Sequence, residues 1–331
     1  MAFTRSFLLA ALAAVVPMSL VACGGGNDVI TPVGAHYHYV VNKALVPTNN
    51  NESREYGLDL NGDGTPDNQL GMVLGTLAGM GFDIQATIDT AVLEGSISLL
   101  ADVQTADATF MSSSATGLSV FIGSNPQPAA CNTSETVTCT TTKPAVCTGC
   151  GHQLTPAGGM FTVGANMNLA LAGKIIGGTF NGGPGNLTIQ IALGGTTAID
   201  LNLIGARAKA SGMSGDAITG LVFAGALSQD DINTKVIPAV VTQLQPTIAR
   251  DCTMLSAPPG CGCADGTTGK TIIGLFDTNM DCMVTSAEVM SNSLIMSLLA
   301  PDVQVDGKMA LSLGIKVTAE KATFTVPGET M

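Results

Sequence analysis

The chain has no tryptophan, and only 3 tyrosines and 10 phenylalanines among 331 residues. Barrels that cross membranes place aromatic girdles at both lipid interfaces, so this composition speaks against a membrane β-barrel. Histidines number 3, which leaves few general bases. Neither a Gly-x-Ser-x-Gly nor a His-Glu-x-x-His motif occurs, and the expectation is a protein that is not an enzyme. Basic residues number 13 against 25 acidic ones, giving a net charge of −12. Nucleic acid is bound through clustered Lys and Arg, so it is excluded as a partner. Charged residues make up only 11% of the chain and the mean hydropathy is +0.38, enough to bury a large core. Past the N-terminal segment, no stretch approaches the ~18 uninterrupted apolar residues of a membrane helix. The longest, such as Gly220 to Leu227, suit strands.

What the sequence does have begins at its N-terminus. Arg5 lies in a short polar start, Phe7 to Val16 are almost wholly apolar, and Pro17 and Ser19 precede Leu20-Val21-Ala22-Cys23. A positive start, an apolar segment and small residues at a cut describe a secretory signal, here residues 1–22. Leu20 to Cys23 resembles the lipobox of bacterial lipoproteins, in which the new N-terminal cysteine is acylated. The resemblance implies a membrane partner held through lipid on Cys23. Residues 23–34, opening with Gly24-Gly25-Gly26, read as a flexible tether. Gly24 after the cysteine, by similarity to enterobacterial sorting, implies an outer-membrane location in the cell envelope, on either its periplasmic or its surface face.

Export also fixes the reading of the other cysteines. Cys131, Cys139, Cys147, Cys150, Cys252, Cys261, Cys263 and Cys282 form an even set, which in an oxidising compartment reads as disulfides. Their clustering predicts local bridges within 131–150 and within 252–282.

Residues 35–331 read as one α+β, β-rich domain: an antiparallel meander or sandwich with flanking helices and an EF-hand-like helix-loop-helix. His36 to Ala44 alternates as a strand. Helical spacing covers 67–80 and 82–94, and 96–110 and 118–122 are strand-like. A Cys-rich loop spans 124–159. Met160 to Phe223 alternates between Gly-rich turns, the mark of a meander. Ser228 with Asp231 predicts a helix start, and that helix runs to about Arg250. Further strands are expected over 309–317 and 322–326. Ser98 to Gln104 also echoes Ser297 to Gln304, a faint sign of two related halves.

Two Asp-rich segments are candidate calcium sites, since calcium is a hard cation that takes carboxylate, amide and carbonyl oxygens. Residues 277–288 match an EF-hand loop. Asp277, Asn279 and Asp281 would offer side-chain oxygens, Met283 its carbonyl, Thr285 a ligand directly or through water, and Glu288 both carboxylate oxygens. Val284 takes the apolar eighth position, which commonly faces a partner loop. The sixth position requires a left-handed turn and is normally Gly. Here it is Cys282, and a disulfide to Cys252, Cys261 or Cys263 would hold the turn. The second segment spans 59–70. Asp59, Asn61, Asp63, the Thr65 carbonyl and Asp67 would be its ligands. It has Gly64 at the turn but Leu70 where a bidentate Glu belongs, and it resembles the Asp-rich loops of dockerin and thrombospondin type 3 repeats. Asp302 with Asp306-Gly307 reads as a third, decayed loop.

Other motifs are weaker. Gly266 to Thr271 imitates the end of a phosphate-binding loop, but Ala264 stands where its first Gly belongs, and a helix start is the better reading. Cys147-Thr148-Gly149-Cys150-Gly151-His152 misses a haem-attachment motif by one residue. His36 and His38 share one face of a strand, as ordinary strand side chains or as a metal pair. Taken together, the lipobox, the Asp-rich loop, the meander and the cysteine-containing loop at 277–288 resemble uncharacterised lipoproteins of myxobacteria and their relatives. That resemblance implies no activity. The reading is a calcium-binding, lipid-anchored envelope protein of structural or adhesive type, with an envelope protein as its partner. The alternatives are a carrier of a lipid or other apolar ligand and, last, an enzyme.

Overall fold

The computed structural model describes residues 30–79, 84–131, 149–155, 157–164, 170–191, 198–253 and 261–326. Cys23, Cys139 and Cys147 lie outside them, as do the signal and most of the tether. The expected α+β meander or sandwich is corrected: the fold is mostly β, and its strands close into an eight-stranded antiparallel barrel with two additional strands. The barrel runs in chain order through β1 (Ala35–Leu45), β2 (Leu99–Thr105), β3 (Ser112–Gln127), β5 (Leu171–Ile176), β6 (Thr179–Ile191), β7 (Ile199–Met213), β8 (Ala217–Leu227) and β10 (Lys308–Thr323). Neighbouring barrel strands pair with their successors, and the ends join as well: β10 returns to β1, with Tyr39 opposite Lys321 and Leu45 opposite Lys316. The expected pair of C-terminal strands is the single long β10. The extra strands are β4 (Gly159–Val163), which pairs with the ends of both β3 and β10, and β9 (Val303–Val305), which forms a hairpin with β10.

Alternation decides what fills the barrel. Strand side chains point to opposite faces in turn. Tyr39, Leu99, Leu118, Leu171, Leu187, Leu201, Phe223 and Leu313 belong to one buried cluster, while Lys174, Asp200, Asn202, Lys209 and Thr219 on the opposite face are exposed. Apolar-in and polar-out is the reverse of the pattern that suits a barrel wall to lipid. Large and small residues face each other across the wall: Phe180 lies opposite Ala210, and Phe223 opposite Ala208. The interior of an eight-stranded barrel is just wide enough for such side chains to fill.

All described helices sit in two connections that leave the same end of the barrel. The first, between β1 and β2, carries α1 (Asn50–Glu55), α2 (Gln69–Gly79) and α3 (Ile84–Leu93). The second, between β8 and β9, carries α4 (Gln229–Asp231), a π-helical turn (Ile232–Val236), α5 (Ile237–Asp251), α6 (Thr268–Phe276), α7 (Ser286–Ser291) and α8 (Ser293–Leu298). Leu70, Leu74, Ile88, Ile232, Ile237, Leu244 and Phe276 bury their apolar faces in the barrel's own cluster. Ser228 caps the start at Asp231 as the sequence predicts. Thr267 caps α6, so Gly269-Lys270 is indeed a helix start. The echo between 98–104 and 297–304 is not structural, because the first copy is a strand and the second crosses from α8 into β9.

Candidate functional site

The two Asp-rich segments fall one in each helical connection. Residues 277–285 link α6 to α7. Cys282 has φ 67°, the left-handed conformation that the missing glycine would have supplied, and it is bonded to Cys261 with S–S 2.06 Å. Cys252 bonds Cys263, and Cys131 bonds Cys150. The three bridges among the described residues fall within the two expected clusters. The disulfide at Cys282 ties the turn to the segment that follows α5, so the strain of a non-glycine residue there is held covalently.

The loop's acidic groups converge. The Asp277 carboxylate accepts hydrogen bonds from the backbone N–H groups of Asp281 at 3.0 Å and Cys282 at 2.9 Å. Asp281 accepts from Met283 N–H at 2.9 Å, and Asn279 Oδ1 accepts from Asp281 N–H at 3.0 Å. Glu288 is buried. One of its oxygens accepts from Thr278 N–H at 3.2 Å, and the other accepts from Thr285 N–H and Oγ1, each at 2.9 Å. The Thr285 N–H bond, with Glu288 N–H donating in return to Thr285 Oγ1 at 3.3 Å, forms a capping box at the start of α7. Carboxylate oxygens of Asp277, Asp281 and Glu288 thus lie within 4.8 Å of one another. Such a cluster of acidic oxygens can take a hard cation. The eighth position does not face a partner loop: Val284 is buried, and its carbonyl accepts from Gln245 of α5 at 2.9 Å. Sequence spacing had no means of finding Gln245, which is distant in the chain.

The segment 59–70 is built differently. Leu58 bridges Asp67 across it, and Leu58 and Leu60 pack on Val303, Val305, Ala224 and Ala226 outside the barrel. Gly62 and Gly64 both have φ +86°. Asp59 accepts from Gly62 N–H at 2.6 Å and Gly64 N–H at 2.8 Å. Those donors, Gly64 first, hold its carboxyl below the ordinary value. Asn61 Oδ1 accepts from Asp63 N–H at 2.9 Å, and Asp63 accepts from Thr65 N–H at 2.7 Å. Asp67 turns inward to accept from Leu60 N–H at 2.8 Å, and desolvation pushes its pKa up. Among the described residues, the clusters of three or more acidic, His or Cys ligand atoms do not include this loop. Its glycines and carboxylates serve the backbone turn. The suspected third loop is corrected: Val305 pairs with Lys308, so Asp306 and Gly307, at φ 49° and 76°, form a two-residue hairpin turn. Asp302 instead accepts from Ser312 N–H at 2.7 Å.

A cleft of about 710 Å³ opens between α5 and the ends of β6 and β7. Gln190, Asp200, Thr234, Lys235 and Thr242 line it together with Ile199 and Pro238. Ala198 and Ala239 complete a lining that mixes apolar and polar side chains. No described helix is long and apolar enough to cross a membrane. No protein-family model matches the chain, and neither a curated protein nor a solved structure is similar enough to count as a match.

Proposed function

We propose that the protein is a non-catalytic, calcium-stabilised protein of the cell envelope, anchored by lipid on Cys23, with an EF-hand-like site at residues 277–288. The observation that carries the reading is the convergence of Asp277, Asp281 and Glu288 about a turn that Cys282 completes in place of glycine. Asn279, the Met283 carbonyl and Thr285 complete the proposed oxygen set. The disulfides fit an oxidising compartment, where calcium is also abundant and weak sites suffice. A bound ion would join α6 to α7 and, through Val284 and Gln245, to α5. Its role is thus to stiffen the helical cover of the barrel. The reading leaves out Asp59, Asn61, Asp63, Thr65 and Asp67, because the Asp59 and Asp63 carboxylates and the Asn61 amide oxygen accept from their own turn and Asp67 turns inward to Leu60.

The test is thermal unfolding of the purified chain with calcium and with chelator. A ligand that binds only the native state, at 100 times its Kd, stabilises it by about 2.7 kcal/mol. A midpoint that does not move between the two conditions removes the calcium reading.

A further inference from the structure

Three clusters of ligand atoms stand out among the described residues. One is the calcium candidate. A second, Cys261 with Asp277 and Cys282, holds no free thiolate, because both cysteines are in one disulfide. The third lies on the opposite chemical side of metal preference and on a different part of the barrel: His36, His38 and Asp102.

The sheet brings these three together. On β1 the odd residues Tyr37, Tyr39 and Val41 turn toward the main core. The even ones, His36, His38 and Val40, therefore share the outer face. Antiparallel register sets His38 opposite Asp102 and Val40 opposite Leu100. Val40 and Leu100 join Phe121, Phe161 and Phe324 in an apolar cluster on that outer face, roofed by β4 and the C-terminal segment. The polar trio is the next step along the same ladder, and Phe324 stacks on the His38 ring at 4.3 Å. His36 Nδ1 lies 2.9 Å from one Asp102 oxygen and 3.1 Å from the other. His38 Nε2 lies 3.6 Å from the carboxylate. The Asp102 side chain is 4% exposed, against 16% for His38 and 25% for His36.

These spacings suit a particular class of ion. Zinc bonds of about 2.0–2.1 Å at tetrahedral angles put neighbouring donors roughly 3.3 Å apart. The His–Asp separations bracket that value, and the three ligand atoms all lie within 4.8 Å of one another. Two imidazole nitrogens and one carboxylate oxygen suit a borderline transition ion, whereas calcium seeks six or more oxygens. Two hydrogen-bonded strands fix the donors before any ion arrives, which reduces the ordering cost of binding. His36 is the most exposed of the three side chains, and a water would complete the fourth position from its side.

We propose that His36, His38 and Asp102 form a binding site for a divalent transition ion of the zinc class on the outer wall of the barrel. The site is independent of the loop at 277–288 and takes its ion in the presence of saturating calcium. The experiment titrates ZnCl₂ into the purified full chain by calorimetry, with calcium in excess, alongside His36→Gln, Asp102→Asn and Glu288→Gln. The expected result is saturation at about one Zn²⁺ per chain. His36→Gln and Asp102→Asn should each lose more than the roughly 10- to 100-fold that changing a group which merely orients a ligand costs. Glu288→Gln should bind as the parent does. Nitrogen-15 imidazole spectra of the unmodified chain provide a readout that needs no variant. On adding Zn²⁺, His36 and His38 should shift and His152 should not. No saturable binding, equal affinity in Asp102→Asn and the parent, or shifts confined to His152 would each overturn the site.

Discussion

The two Asp-rich loops solve one geometric problem by different means. Both need the chain to turn through a left-handed position. The loop at 59 uses Gly62 and Gly64, whose turns stand free of neighbours. The loop at 277 puts Cys282 there and anchors it to Cys261. The first is exposed and spends its carboxylates on its own backbone. The second has a buried glutamate that gathers the ends of the loop. An Asp-x-Asn-x-Asp pattern therefore specifies a turn. The residue at the twelfth position, together with what packs beneath it, decides whether the carboxylates converge.

The largest effect that would break this comparison comes from the disulfide. Cys282→Ser opens a bridge between residues 21 apart in sequence, and should cost about 3 kcal/mol in denaturant unfolding. Cys282→Gly loses the same bridge but relieves the left-handed strain, so it should be about 1 kcal/mol less damaging than the serine variant. If the two variants are equal, the turn is not strained. Next, Glu288→Gln should remove most of the calcium-dependent rise in the unfolding midpoint, while Asp59→Asn should keep it. Equal losses would mean that the two loops act as one. Gly64→Ala meets no atom within 4 Å, so only backbone strain remains. That change should cost about 1 kcal/mol by chemical denaturation.

The smallest effect is one of pH. The Asp59 carboxyl is depressed by the Gly64 and Gly62 N–H donors. A group depressed in the folded state stabilises it above its unfolded pKa, and that contribution is lost as pH falls through the folded value. Asp67 is shifted upward by desolvation, so its protonation has the opposite sign and comes at higher pH. Asp59→Asn should flatten the acid limb of a midpoint-versus-pH curve below pH ~4. A curve unchanged by that substitution would show that the Asp59 contacts do not persist in solution.

Much of this architecture is legible from local pattern. Alternation located most strands, and helical spacing located α2 and α3. Clustering of the cysteines anticipated the bridges at Cys131, Cys252 and Cys261. Closure was not legible, because alternation is the same in an open meander and in a barrel. Only the register of Tyr39 with Lys321 distinguishes them, and those residues stand near opposite ends of the chain. The scarcity of aromatic residues bears on a lipid-facing wall. It is silent on a barrel filled by its own leucines and alanines. In the candidate sites, the loop at 277 carried its ligands in one short window. Asp102 was missed because its partners lie far away in sequence. The signal was present all the same: a lone carboxylate in Leu99-Leu100-Ala101-Asp102-Val103, a segment otherwise fit for burial, demands a partner.

The pairing of the first barrel strand with the last also governs how the chain must fold. Every other barrel ladder can form as soon as its two strands have been synthesised. The β1–β10 ladder cannot begin until the final strand emerges, and until then β1 and β8 each present an open edge. Non-local closure of this kind is slow, and it exposes edges to other chains while it waits. The long helical connection after β8 lengthens that interval. Loss of the segment after Lys308 would thus remove the seam that completes the wall and leave two sticky edges behind, with aggregation the expected fate of the truncated chain.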